Sequence, residues 1–129
     1  MEDKNTQNKK TVLLVEDEMD LVELYTEVLN EAGFEVVPAY DGEDGIYKVK
    51  GTNWDLLLLD IMLPEKDGMA VLEELQSMEG GKKGPIVLLT NLNSEDLIER
   101  AYKLGADDYL IKSEITLADI TNKVKQYLA

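Results

Sequence analysis

The 129-residue chain contains no cysteine, so it has no disulfide, no thiolate nucleophile and no thiolate metal site. It also contains no histidine, which removes imidazole acid–base chemistry and the commonest zinc ligand. Any metal must therefore sit among oxygen ligands, the preference of hard cations such as magnesium, manganese or calcium. Cations are scarce: 13 Lys plus Arg stand against 27 Asp plus Glu, a formal charge of −14. Such a chain repels a phosphate backbone, so direct nucleic-acid binding is not expected. No apolar run approaches the roughly 18 residues of a membrane span, and the opening MEDKNTQNKK lacks the apolar core of a signal peptide. A cytoplasmic protein with no membrane partner is the expectation.

What the chain does have is 44% hydrophobic residues, enough for one core in one domain. After a polar tail at residues 1–10, the domain is expected to span residues 11–129. Val12 to Val15 is a continuous apolar run, as in a strand buried on both faces of a parallel sheet. Leu21, Val22, Tyr25, Val28, Leu29 and Ala32 recur every three or four residues, an amphipathic helix stopped by Gly33. Phe34 to Pro38 reads as a second strand, placed at a sheet edge because Pro38 has no N–H to donate.

Asp41 to Lys50 is a second helix, weakened by Gly45 in its interior. Asp55 to Leu59 is a third strand ending at Asp60. Pro64 and Gly68 then bracket a loop before a helix from Met69 to Met78. Ile86 to Leu89 is the fourth strand. Ser94, Glu95 and Asp96 open a helix that Gly105 closes. Tyr109 to Ile111 is the fifth strand, and the last helix places Leu117, Ile120, Val124, Tyr127 and Leu128 on one face. Five alternations of strand and helix predict an α/β fold, a doubly wound parallel sheet with helices on both faces.

In a parallel sheet the strand ends line one edge. Glu16, Asp17, Asp60, Thr90, Tyr109 and Lys112 all lie at or beside such ends. Crowded carboxylates cannot all stay ionised cheaply unless protons or a cation intervene. Magnesium, with manganese as a substitute, fits this sparse set better than calcium, which takes six to eight oxygens. Asp17 and Asp60 are expected as direct ligands, with Glu16 acting through water. Asp60 is the expected nucleophile toward phosphorus. Lys112 and the Thr90 hydroxyl suit two phosphoryl oxygens. Taken singly, each has a plainer reading: the acidic triplet as a solvated helix start, Thr90 as a turn residue, Lys112 as a solvated cation. Their joint occurrence at successive strand ends favours the site.

The words LLVEDE at 13–18, DLLLLDIMLPEKDG at 55–68 and LGADDYLIK at 104–112 closely resemble the receiver domain of bacterial two-component response regulators, over Thr11 to Ala129. The resemblance implies a flavodoxin-like five-stranded sheet in the order 2-1-3-4-5. It implies that Asp60 accepts a phosphoryl group from a histidyl phosphate on a sensor histidine kinase or a histidine phosphotransfer protein. The Met62 carbonyl would join the metal ligands. Thr90 would move toward the phosphoryl group while the Tyr109 ring turns inward, reshaping a surface read by a downstream protein. The chain would act as a signalling receiver, catalysing only its own phosphorylation and dephosphorylation, as a monomer or a phosphorylation-dependent dimer. Because the sequence stops after the fifth helix, a single-domain receiver of the chemotaxis-regulator type is expected.

Two positions depart from the family pattern: Ser113 follows Lys112 where proline is usual, and Asn91 follows Thr90 where a small residue is usual. Three alternatives remain. A haloacid-dehalogenase-like phosphatase usually carries a second acidic residue two positions after its aspartate, where this chain has Met62. A flavodoxin-like electron carrier would need hydroxyl and backbone donors where the first loop is acidic. A receiver-like adaptor that binds partners without phosphorylation would not require Asp60, Thr90 and Lys112 together.

Overall fold

The computed structural model describes residues 9–63, 67–78, 80, 82–91 and 95–128. Five strands, β1 (Thr11–Val15), β2 (Glu35–Ala39), β3 (Leu56–Asp60), β4 (Ile86–Thr90) and β5 (Asp108–Ile111), alternate with five α-helices. The helices are α1 (Met19–Glu31), α2 (Gly42–Gly51), α3 (Gly68–Ser77), α4 (Glu95–Lys103) and α5 (Leu117–Leu128). All strand pairs are parallel, in the order β2-β1-β3-β4-β5 expected from the sequence.

The two-residue period of a strand sorts its side chains between two cores. Leu13, Val15, Leu57, Leu59 and Leu88 pack under α2, α3 and α4, with Val49, Val71, Leu72 and Ala101. Val12, Leu14, Leu56, Leu58, Val87 and Leu89 pack on the opposite face with Val22, Tyr25 and Leu29 of α1 and Ile120 and Val124 of α5. Each fully buried leucine contributes about 2 kcal/mol. Continuous apolar runs thus serve both faces, and the polar residues are left to the strand ends.

Local chemistry sets the helix starts. Asp41 and Asp67 cap α2 and α3 by accepting the N–H groups of Asp44 and Ala70. Gly45, costly in a helix interior, lets α2 lie close on β1, since a Cβ there would stand 3.0 Å from Val15 Cγ1. The Asp108 carboxylate takes hydrogen bonds from Lys123 Nζ at 2.8 Å and Tyr127 OH at 3.0 Å, fastening β5 to α5. Although burial works the other way, those bonds hold the Asp108 carboxyl below its ordinary range.

Several sequence-based boundaries shift. Phe34 lies before β2, because its N–H is spent on Leu29 O at 3.0 Å in ending α1. Asp55 stands outside β3, its carboxylate accepting the Thr11 N–H at 2.7 Å. Gly68 is the first residue of α3 rather than part of a loop, and Met78 falls just past that helix. Leu117 does not join the buried face of α5. It stands 37% exposed at the helix's first residue, beside α1. Pro64 and Ser94 lie outside the described residues. No helix among the described residues is long and apolar enough to cross a membrane.

Candidate functional site

The carboxyl ends of β1, β3 and β4 bring together Glu16, Asp17, Asp60 and Thr90, with Lys112 arriving from the end of β5. The register extends one residue past the strands on both sides: Glu16 N–H donates to Ala39 O at 2.9 Å, and Ile61 N–H to Leu89 O at 3.2 Å. These bonds hold the backbone on which the site is mounted. Glu16, Asp60 and Thr90 are buried and Asp17 is half-buried. One carboxylate oxygen from each of Glu16, Asp17 and Asp60 lies within 4.8 Å of the others.

The Lys112 ammonium donates to Glu16 Oε1 and Asp60 Oδ2, both at 3.0 Å, with a side chain only 7% exposed. Burial opposes its charge, but the hydrogen bonds to Glu16 and Asp60 prevail and raise its pKa, so it stays protonated. Desolvation, reinforced by the Asp60 charge, pushes the Glu16 carboxyl from its ordinary 4.5 up to about 7 against the opposing bond from Lys112. Three carboxylates facing one ammonium leave an excess of negative charge. Their oxygen donors and spacing fit a hard divalent cation.

Main-chain donors complete the arrangement. Met62 N–H donates to Asp60 Oδ1 at 2.9 Å and Glu18 N–H to Glu16 Oε2 at 3.1 Å, orienting both carboxylates. The Met62 side chain points away, 58% exposed. Tyr109 is not in the pocket. Its ring stands 38% exposed, edge-on to Tyr102 with centroids 6.4 Å apart, while Thr90 pairs with Ile111 two residues along β5. Lys112, Ser113 and Glu114 form a single 3-10 turn, which accommodates the serine that replaces the usual proline.

Two contributors escaped the sequence reading. Glu18, read as part of a helix start, brings a third carboxylate to 3.6 Å from Lys112. Gly68 runs so close beneath the site that a Cβ would stand 2.5 Å from Asp60 O and 2.7 Å from Ile61 Cα. The acidic triplet signalled the first. Nothing local signalled the second.

The family model of the response regulator receiver domain matches residues 12–125. The chain belongs to that family. It is 42% identical over 101 residues to the transcriptional regulatory protein CiaR of Streptococcus pneumoniae, covering 78% of this chain and 44% of that protein. It is 37% identical over 122 residues to the transcriptional regulatory protein HprR of Escherichia coli, covering 92% and 53%. The chain thus spans about half the length of the curated relatives it matches. Since those relatives are named transcriptional regulators, the expectation of no nucleic-acid partner gains no support from them.

Among solved structures, a two-component response regulator from Clostridium difficile superposes with a TM-score of 0.83 at 30% identity, covering 93% of this chain and 96% of that one. A CheY-like receiver domain protein from Methanospirillum hungatei gives 0.84 at 26%, covering 92% and 93%. The chain is therefore a receiver in two-component signalling, and the phosphatase and electron-carrier alternatives give way to it.

Proposed function

We propose that this receiver takes a phosphoryl group onto Asp60 from a histidyl phosphate and so switches a surface read by a partner protein. The observation that carries the reading is the buried Lys112 ammonium, held 3.0 Å from both Glu16 and Asp60 inside the three-carboxylate cluster. An Asp60 oxygen attacks phosphorus, the phosphorus–nitrogen bond breaks, and the departing imidazole nitrogen keeps the electron pair and takes a proton. The product is an acyl phosphate on Asp60. Water attack on its phosphorus later returns the carboxylate and inorganic phosphate.

Asp17 and Asp60 would hold magnesium directly, Glu16 through water, with the Met62 carbonyl as a further ligand. The bound ion would neutralise charge on the phosphoryl oxygens. Lys112, already protonated and buried, then exchanges its Asp60 contact for a phosphoryl oxygen, and the Thr90 hydroxyl donates to another. Thr90 moving toward the phosphoryl group leaves room behind it, and the Tyr109 ring leaves Tyr102 to fill that space. The donor is a sensor histidine kinase or a histidine phosphotransfer protein, and the reader a downstream protein.

The test is incubation with magnesium and acetyl phosphate, followed by intact mass and peptide mapping. One phosphoryl group should appear on Asp60, and Asp60→Asn or a chelator should abolish it. An unchanged yield in either case refutes the assignment.

A further inference from the structure

Beside β2, at the opposite edge of the sheet from β5, α1 and the outer edge of β2 enclose an open groove of about 490 Å³. Its floor is largely apolar, made by Val22, Pro38 and the ring of Tyr40. Along its rim run Glu23, Glu27 and Glu31, spaced four apart on α1 and all exposed. None of the three forms an ion pair with a described residue. Like charges at that spacing work against a helix, so the row is a cost the fold does not itself offset. The Thr26 hydroxyl, between Glu23 and Glu27 in the same lining, is buried with no hydrogen-bond partner.

The neighbouring strand edge is a poor template for strand addition beyond Val36. Glu35 N–H and Ala39 O bond toward β1, so Val36 and Pro38 face outward. Pro38 has no N–H, its carbonyl accepts Lys48 Nζ at 2.6 Å, and Tyr40 N–H is given to Asp44 Oδ2 at 3.2 Å. Lys48, a cation that touches the groove floor, is committed to Pro38 O, to Asp44 at 3.3 Å and to the Tyr40 ring. Side chains therefore carry most of an occupant's contacts.

We propose that this groove docks a basic amphipathic helix of a partner protein, with Lys or Arg four residues apart against Glu23, Glu27 and Glu31. Rows repeating every four residues advance about 6 Å per step on both helices, so the charges stay in register over about 12 Å. An apolar side chain between them covers Val22 and Pro38, and a cationic donor satisfies the Thr26 hydroxyl. A second copy of this chain is excluded as occupant, because it would bring the same acidic row against this one. Anionic membranes and nucleic acid are repelled in the same way.

The test uses a synthetic helical peptide with lysines four apart on one stripe and leucines beside them, titrated into the full chain while amide chemical shifts are recorded. Shifts should centre on Val22 to Glu31 and Tyr40. Removing three exposed pairs together in Glu23→Gln/Glu27→Gln/Glu31→Gln should weaken binding about tenfold. A control that removes equal charge from α4, Glu95→Gln/Asp96→Asn/Glu99→Gln, should leave it nearly unchanged. Asp60→Asn should bind like wild type, which separates this proposal from the phosphorylation chemistry. Equal losses in the two triple variants, or shifts that bypass Thr26 and Tyr40, would overturn it.

Discussion

Glu16 is the residue at which stability and function pull in opposite directions, and Glu16→Gln measures the conflict. Its carboxyl is buried, and desolvation together with the Asp60 charge raises its pKa from 4.5 to about 7. A carboxyl raised in the folded state binds more protons folded than unfolded, so stability falls as pH rises from 4.5 through about 7. At about 1.4 kcal/mol per tenfold change in proton affinity, that rise amounts to about 3 kcal/mol. This is an upper figure, because Asp60 and Glu16 share one ammonium.

Glutamine has the same shape and no charge to desolvate. Its single oxygen can keep the bond from Lys112 Nζ, but the one from the Glu18 N–H, which Glu16 takes on its other oxygen, is lost at a cost of about 1 kcal/mol. In the presence of a chelator the variant should therefore exceed wild type by up to about 2 kcal/mol near pH 8, with the gap closing and then reversing toward pH 5. With a urea dependence of about 1–3 kcal/mol per molar, the midpoint should rise by roughly 1–2 M. Added magnesium should narrow or reverse the difference, since a ligand stabilises in proportion to its affinity for the folded form and the variant lacks the carboxylate proposed to hold the ion through water. Urea denaturation at several pH values, with and without magnesium, checks this. A variant no more stable than wild type near pH 8, or a gap that ignores pH, would refute the electrostatic reasoning.

The fold was legible because its signals are local or periodic. Leu56 to Leu59 reads as a strand buried on both faces, and Pro38, without an N–H, points to a sheet edge. The candidate site was legible for a related reason: once the sheet is parallel, residues at strand ends meet however far apart they lie in sequence. Glu16 and Lys112, 96 positions apart, touch through topology alone. What escaped depends on distances that topology does not set. The clearance beneath Asp60 that excludes any residue but Gly68 comes from how α3 settles on β3. The resting place of Tyr109 against Tyr102, and the exposure of Leu117, come from how α4 and α5 lie on the sheet. The blunted edge of β2 was half visible: Pro38 announces it, but the reach of Lys48 to the Pro38 carbonyl appears only once α2 is docked.

Gly68→Ala should cost about 1–3 kcal/mol, as overpacking against backbone does, and should slow acetyl phosphate labelling by displacing Asp60. A variant that matches wild type in urea denaturation and labelling rate would show that α3 can retreat freely. Asn91, exposed directly after Thr90, is expected to screen the acyl phosphate from water, so Asn91→Ala should shorten its lifetime; equal decay of isolated phosphoprotein would clear Asn91 of that role. The coupling of Thr90 to Tyr109 is tested with beryllofluoride as a phosphoryl mimic, following the amide shifts of Ala101 to Tyr109. Only contacts that differ between two states can move their populations, so Thr90→Ala should still bind the mimic at Asp60 while losing most of the response around Tyr102 and Tyr109. Because Tyr109 starts outside the pocket and two residues along β5 from the partner of Thr90, the proposed coupling requires its ring to change place. A full response in Thr90→Ala, or none in wild type, would show that the surface is read by another route.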